Sequence, residues 1–167
     1  QMIDSMIRGD HAGEHGAVRI YAGQLAVLAG TDAEGTIREM AEQEQKHLST
    51  FDSMIADRQV RPTALAPIWH VAGFALGAGT ALLGPKAAMA CTQAVEEVID
   101  EHYAAQADQL GDDEKDLRDT IEEFRADGRA HRDKAIEEGA EQAPGYEVLT
   151  SAVKAGSKLA IWLSSRI

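Results

Sequence analysis

Apolar residues recur at steps of three and four along most of the chain, the pattern of amphipathic helices rather than strands. A first helix is expected from about Ile3 to Ala29, with Ile7, Val18, Tyr21, Leu25 and Leu28 on its apolar face and Gly30 at its end. A second, capped by Thr31 or Asp32, carries Ile37, Met40, Leu48, Phe51, Met54 and Ile55 and fades near Ala56. Arg61-Pro62 and Ala66-Pro67 then force a break. A third helix, about Lys86 to Gln109, shows Met89, Thr92, Ile99 and Tyr103. A fourth, capped from Gly111-Asp112-Asp113, shows Leu117, Ile121, Phe124, Gly128, His131 and Ala135, and Pro144 marks its end at the latest. A last helix, about Tyr146 to Ser165, has Leu149, Val153, Leu159, Trp162 and Leu163 as its main apolar residues.

Ionisable residues interrupt these stripes. In the second helix the face runs Met40, Glu44, His47, Phe51, so a Glu-x-x-His stands where core residues belong. A buried carboxylate is costly without a partner, and three-residue spacing aims both side chains at one point. Glu14 falls in the first stripe beside Ala17 and Tyr21, and Glu96 replaces a core residue of the third helix. Glu14, Glu44 and His47 thus have counterparts in Glu96 and His131. Two copies of Glu followed by Glu-x-x-His are how a four-helix bundle binds two metal ions, and a mixed carboxylate and imidazole set suits iron. The second copy lacks its glutamate, because position 128 is Gly128. Three readings stay open: Asp127 stands in, water fills the place, or the second metal position is lost. Gly9, Gly13 and Gly16 weaken the first helix and permit close packing beside Glu14.

The stretch from Ala64 to Leu83 has no Asp, Glu, Lys or Arg. Its length alone allows a membrane span. Pro67, His70, Gly73, Gly77 and Gly79 favour instead a helix lying in the membrane interface or in a protein groove. The bland alternative is a core helix with Gly73-x-x-x-Gly77 as a close-packing face.

Composition narrows the picture. The 167 residues fit one domain, 1–167, and aromatics are only 5% of the chain, which together with scarce β-branched runs favours an all-α protein. A formal charge of -12 and the lack of a basic cluster argue against sequence-independent nucleic-acid binding. Any membrane contact must therefore be apolar. With one cysteine, Cys91, no intrachain disulfide forms, which fits a reducing compartment. The opening Gln1-Met2-Ile3 shows no charged-then-apolar leader and leaves any upstream targeting segment unread.

Specific motifs add a resemblance. Asp10-His11-Ala12-Gly13-Glu14, Arg19-Ile20-Tyr21-Ala22-Gly23-Gln24, Gln43-Glu44-Gln45-Lys46-His47-Leu48 and the run Gly73 to Gly84 are similar to the demethoxyubiquinone hydroxylases of ubiquinone biosynthesis. Ala90-Cys91-Thr92, Val95-Glu96-Glu97, His102-Tyr103 and Ala160-Ile161-Trp162-Leu163 extend the likeness over nearly the whole chain. It implies a ferritin-like four-helix bundle with an added apolar interfacial segment and a C-terminal helix. It also implies a di-iron monooxygenase that hydroxylates the ring of a polyprenylated demethoxy-benzoquinol, using oxygen as co-substrate and NADH as reductant. By motif, Glu14, Glu44, His47, Glu96 and His131 take the ligand roles, and Gly128 stands where the family has its sixth ligand, a glutamate. His102 and Tyr103 resemble a pair placed near the quinone ring and the electron path. The resemblance further implies a peripheral location at the bacterial inner membrane's cytoplasmic face or at the mitochondrial inner membrane. Association with itself or with a lipid-binding partner is expected. The alternative is a quinone-binding protein of the same fold with an incomplete metal site.

Overall fold

The computed structural model describes residues 1–167, with α1 (Met2–Leu28), α2 (Glu34–Asp57), α3 (Ala66–Leu82), α4 (Pro85–Ala107), α5 (Lys115–Glu137) and α6 (Tyr146–Ser164). Short 3-10 turns lie at Asp112–Glu114 and Ala140–Gln142. The α5 stripe was read correctly, and most of the α2 stripe: the buried residues of α5 are Leu117, Ile121, Phe124, Gly128, His131 and Ala135, and those of α2 are Ile37, Met40, Glu44, His47, Leu48 and Phe51.

The helix starts differ from expectation. Neither Thr31 nor Asp32 caps α2, whose N-cap is Ala33. Thr31 instead turns back to donate its hydroxyl to the Leu28 carbonyl at 2.6 Å, closing α1, and the Gly30 N–H donates to Glu34 at 2.9 Å. Likewise Gly111-Asp112-Asp113 forms no side-chain cap; the Asp112–Glu114 turn leads into α5 through Glu114. In both loops a turn already satisfies backbone groups that a cap would otherwise serve.

α1, α2, α4 and α5 make an all-α, ferritin-like bundle. α1 pairs with α2 and α4 with α5, while α3 packs on α1 and α6 on α4. The chain is thus two consecutive three-helix units, each adding its third helix to its first.

No helix is long and apolar enough to cross a membrane. α3 lies along α1 at very short range. A Cβ at Gly77 would stand 1.9 Å from the Ile20 carbonyl oxygen, and one at Gly23 would stand 2.2 Å from that of Phe74. The Gly73-x-x-x-Gly77 face therefore packs as a groove, while Ile68, Val71, Leu82 and Leu83 remain exposed. On α6, Leu159 and Trp162 also point outward, and Val153 and Ile161 turn into the core. Gly77→Ala is expected to destabilise the fold by about 1–3 kcal/mol in chemical denaturation, because a backbone carbonyl cannot step aside. Gly79→Ala, whose Cβ meets nothing within 4 Å, is expected to be neutral or stabilising by up to about 1 kcal/mol.

Candidate metal centre

Helix periodicity brings five of the sequence-predicted residues together. Glu14 comes from α1, Glu44 and His47 from α2, Glu96 from α4 and His131 from α5, each no more than 4% exposed. They form two triads, Glu14–Glu44–His47 and Glu44–Glu96–His131, with ligand atoms within 4.8 Å of one another in each. Glu44 belongs to both. His47 Nδ1 lies 3.6 Å from Glu14 Oε2 and 3.5 Å from Glu44 Oε2. His131 Nδ1 lies 3.0 Å from Glu44 Oε1 and 3.3 Å from Glu96 Oε1.

Electrostatics explain why this cluster suits a cation. Burial, then the charges of Glu14 and Glu96, push the Glu44 carboxyl well above its ordinary range. Burial opposes the charge on Glu14, but the close approach of Glu44 and His47 and the Tyr103 hydrogen bond hold it below its ordinary value. Burial likewise opposes a charged imidazole, yet bonds to Glu14 and Glu44 raise His47 to about 11. Bonds to Glu44 and Glu96 raise His131 to about 10. The same carboxylates that favour positive charge on both rings favour a cation between them. Glu14 Oε2 is buried without a hydrogen-bond partner. An unpaired carboxylate oxygen grouped with the His47 imidazole and a second carboxylate, Glu44, is a donor set that fits a divalent transition metal.

Two tyrosines brace the carboxylates crosswise. Tyr103 on α4 donates its hydroxyl to Glu14 Oε1 on α1, and Tyr21 on α1 donates to Glu96 Oε1 on α4 at 2.9 Å. Burial and the facing glutamates raise both phenols far above their usual value, so both remain donors. His102 stands farther out: its ring is 6.1 Å from that of Tyr103, and its Nε2 lies 2.9 Å from Asp10 Oδ1. Gln106 donates to the same Asp10 oxygen at 2.8 Å.

The sequence had singled out neither Asp10, Tyr21, Gln43 nor Gln106 for the site. A signal existed: Tyr21 follows Glu14 by seven residues and Tyr103 follows Glu96 by seven. Gly128 sits on α5 against Glu96, and a Cβ there would lie 2.7 Å from Glu96 Oε2. Asp127 does not stand in for the absent glutamate. It lies on the other triad, with its Oδ2 2.9 Å from His47 Nε2.

An apolar cavity of about 310 Å³ lies between α1, α3, α4 and α6. Gly13 and Ala17, which flank Glu14 along α1, line it together with Val95 and Ile99, which flank Glu96 along α4. Trp69 crosses from α3 to donate its indole N–H to Ser164 on α6 at 2.8 Å.

A family model described as ubiquinone biosynthesis protein COQ7 matches residues 1–164. A 3-demethoxyubiquinol 3-hydroxylase of Rhodospirillum rubrum is 61% identical over 167 residues, 99% of this chain and 79% of that protein. The Dictyostelium discoideum protein named NADPH-dependent 3-demethoxyubiquinone 3-hydroxylase, mitochondrial, is 54% identical over 170 residues, 100% of this chain and 78% of that one. The Homo sapiens protein of the same name is 48% identical over 169 residues, covering 99% and 78%.

Proposed function

Because this chain belongs to the COQ7 family of ubiquinone biosynthesis proteins, we propose that it hydroxylates the ring of a polyprenylated demethoxyubiquinol at a metal centre that buried carboxylates and histidines would hold. The enzyme class follows from its relatives, which are hydroxylases by name. The observation that carries the site is the pair of buried triads sharing Glu44. On this reading residues 1–167 are one ferritin-like domain, and Glu14, Glu44, His47, Glu96 and His131 would hold two iron ions. Iron there supplies the reductive activation of oxygen, the co-substrate.

The chain's own residues position and shield. Glu44 faces both ion positions, while Tyr103 and Tyr21 fix the carboxylates of Glu14 and Glu96 by donating to them. The apolar cavity takes the quinol's tail-proximal part and keeps water from the carboxylates; its volume is at the small end of the range for ligand pockets. His102, partly exposed, and Tyr103, bonded to Glu14, lie between the surface and the centre, where electrons must enter. A reduced nicotinamide nucleotide is the electron source. NADH was the expectation from resemblance, and the names of the eukaryotic relatives favour NADPH.

An exposed apolar border of Ile68, Val71, Leu82, Leu83, Leu159 and Trp162 supports docking at the membrane that holds the quinol, without crossing it. Relatives named mitochondrial support the mitochondrial inner membrane as one setting, and the Rhodospirillum relative supports a bacterial membrane as another. The same border would serve association with a second copy or a lipid-binding partner.

The test is oxygen insertion. Protein reconstituted with iron under argon, then given reductant, labelled oxygen and a demethoxyubiquinol, is expected to yield a ring hydroxyl carrying the label. Protein that takes up one iron or none and inserts no labelled oxygen would favour the second reading, a quinone-binding protein with an incomplete centre. Gly128 is the observation behind that reading. Ala160, half-buried on α6, lines the cavity. Ala160→Phe is expected to raise KM for a long-tailed substrate by about tenfold or more and to leave a tail-less analogue unaffected. Equal effects on both substrates would remove the tail from this cavity.

A further inference from the structure

The two histidines present the same edge to the centre. Each turns Nδ1 toward the carboxylates and Nε2 away. On the outer side, His47 Nε2 lies 2.9 Å from Asp127 Oδ2, and His131 Nε2 lies 2.5 Å from Gln43 Oε1. Asp127 is on α5 and holds the histidine of α2; Gln43 is on α2 and holds the histidine of α5. Each acceptor sits four residues before the histidine of its own helix, so the two helices strap one another reciprocally. His47 is held further by Phe124, stacked on its ring at 3.9 Å between centroids and 20° between planes.

A metal-binding imidazole has one nitrogen for the ion and one N–H for an acceptor, and that acceptor fixes both ring orientation and tautomer. We propose that Asp127 and Gln43 are positioning residues that hold the two histidines from opposite helices, and that the charged member makes the Glu14–Glu44–His47 position the tighter of the two. This rests on reading the centre as a metal site. The asymmetry has two sources that act in the same direction. His47 bonds to a carboxylate, which makes the ring the more basic ligand, whereas His131 bonds to a neutral amide. Gly128 also withholds a carboxylate from the Glu96–His131 position. Ions therefore enter in order, first beside Glu14 and His47, then beside Glu96 and His131. Asp127 is an anchor rather than a substitute ligand.

The experiment is a cobalt(II) titration of the full chain, followed by calorimetry and by ligand-field absorption, with the same titration of Asp127→Ala and Asp127→Asn. The wild type is expected to bind cobalt in a tight and a weaker step. Asp127→Ala should weaken the tight step by about 10–100-fold without changing the number of ions bound. Asp127→Asn, which keeps an acceptor without the charge, should fall between. Nitrogen-15 spectra of the zinc-loaded wild type should show His47 metallated at Nδ1 with its proton on Nε2, a signature that a merely packing role for Asp127 would not set. Unchanged affinity in Asp127→Ala, metal on Nε2, or the loss of a whole ion from the stoichiometry would each overturn the assignment. The last would make Asp127 a ligand. A wild type that binds no cobalt overturns the metal centre itself and this inference with it, whereas tight binding indifferent to Asp127 overturns the inference alone.

Discussion

Glu44→Gln is expected to abolish hydroxylation and to leave the chain unable to hold a pair of ions. Of the five clustered residues, Glu44 alone belongs to both triads, so its loss removes an anionic oxygen from each position at once. An amide retains a neutral oxygen but cannot bridge two cations or offset their charge. Charge stabilisation by a bound metal is worth several kcal/mol, which corresponds to a fall in turnover of about 10³-fold or more. The fold is expected to survive. Burial and the neighbouring charges of Glu14 and Glu96 already favour a protonated Glu44, and glutamine imitates that neutral carboxyl in size and shape. Iron per chain after anaerobic reconstitution, turnover and far-ultraviolet circular dichroism check the three parts separately. Glu42→Gln, two residues away on the exposed face of α2, is the control and should behave as wild type. Near-normal iron content in Glu44→Gln would mean that Glu44 does not join the two positions.

How much of this was legible follows from what a helix makes local. Glu44 and His47 stand one turn apart on one stripe, so their convergence is written in three consecutive steps of sequence. The same holds for the buried face of α5, which matches the predicted stripe residue for residue. Contacts across helices depend on axial offset, which periodicity does not encode. Hence Asp127 as stand-in was one of three open readings for the glutamate missing at its neighbour, yet its carboxylate reaches His47 on α2. Tyr21 was read as an ordinary core residue for the same reason, although its hydroxyl reaches Glu96 on α4. The charge-free segment was legible in its glycine face and less so in its other side. Gly73 and Gly77 announce close approach, but only the placement of α3 on α1 shows that Ile68 and Val71 are left facing out. The missed caps at Thr31 and Asp112 reflect competition within short loops, where turn hydrogen bonds took the groups a cap would have served.

Gly128→Glu is the complementary gain-of-function prediction: the second ion is expected to bind more tightly and turnover to rise. Position 128 faces Glu96 of the Glu44–Glu96–His131 triad, so a carboxylate there would give that position a fourth side-chain ligand. The obstacle is small. A Cβ at 128 would lie 2.7 Å from Glu96 Oε2, the far end of a flexible side chain, which can rotate away. Replacing glycine inside α5 also regains roughly 1 kcal/mol of helix propensity. Outer partners of metal ligands alone change affinity by about 10–100-fold, so a direct carboxylate ligand should tighten the second step by at least that much. Gly128→Ala separates the causes, because it displaces Glu96 equally but brings no donor, and it should leave the second step no tighter than in the wild type. Stability provides an independent reading. A fourth carboxylate in the cluster adds repulsion when metal is absent and attraction when it is present. The difference in melting temperature between metal-loaded and metal-free protein should therefore be larger in Gly128→Glu than in either the wild type or Gly128→Ala. If stoichiometry, turnover and that difference all stay at wild-type values, the Glu96–His131 position is already as well served as a glutamate could make it, and the ordering of the two ion positions loses its main cause.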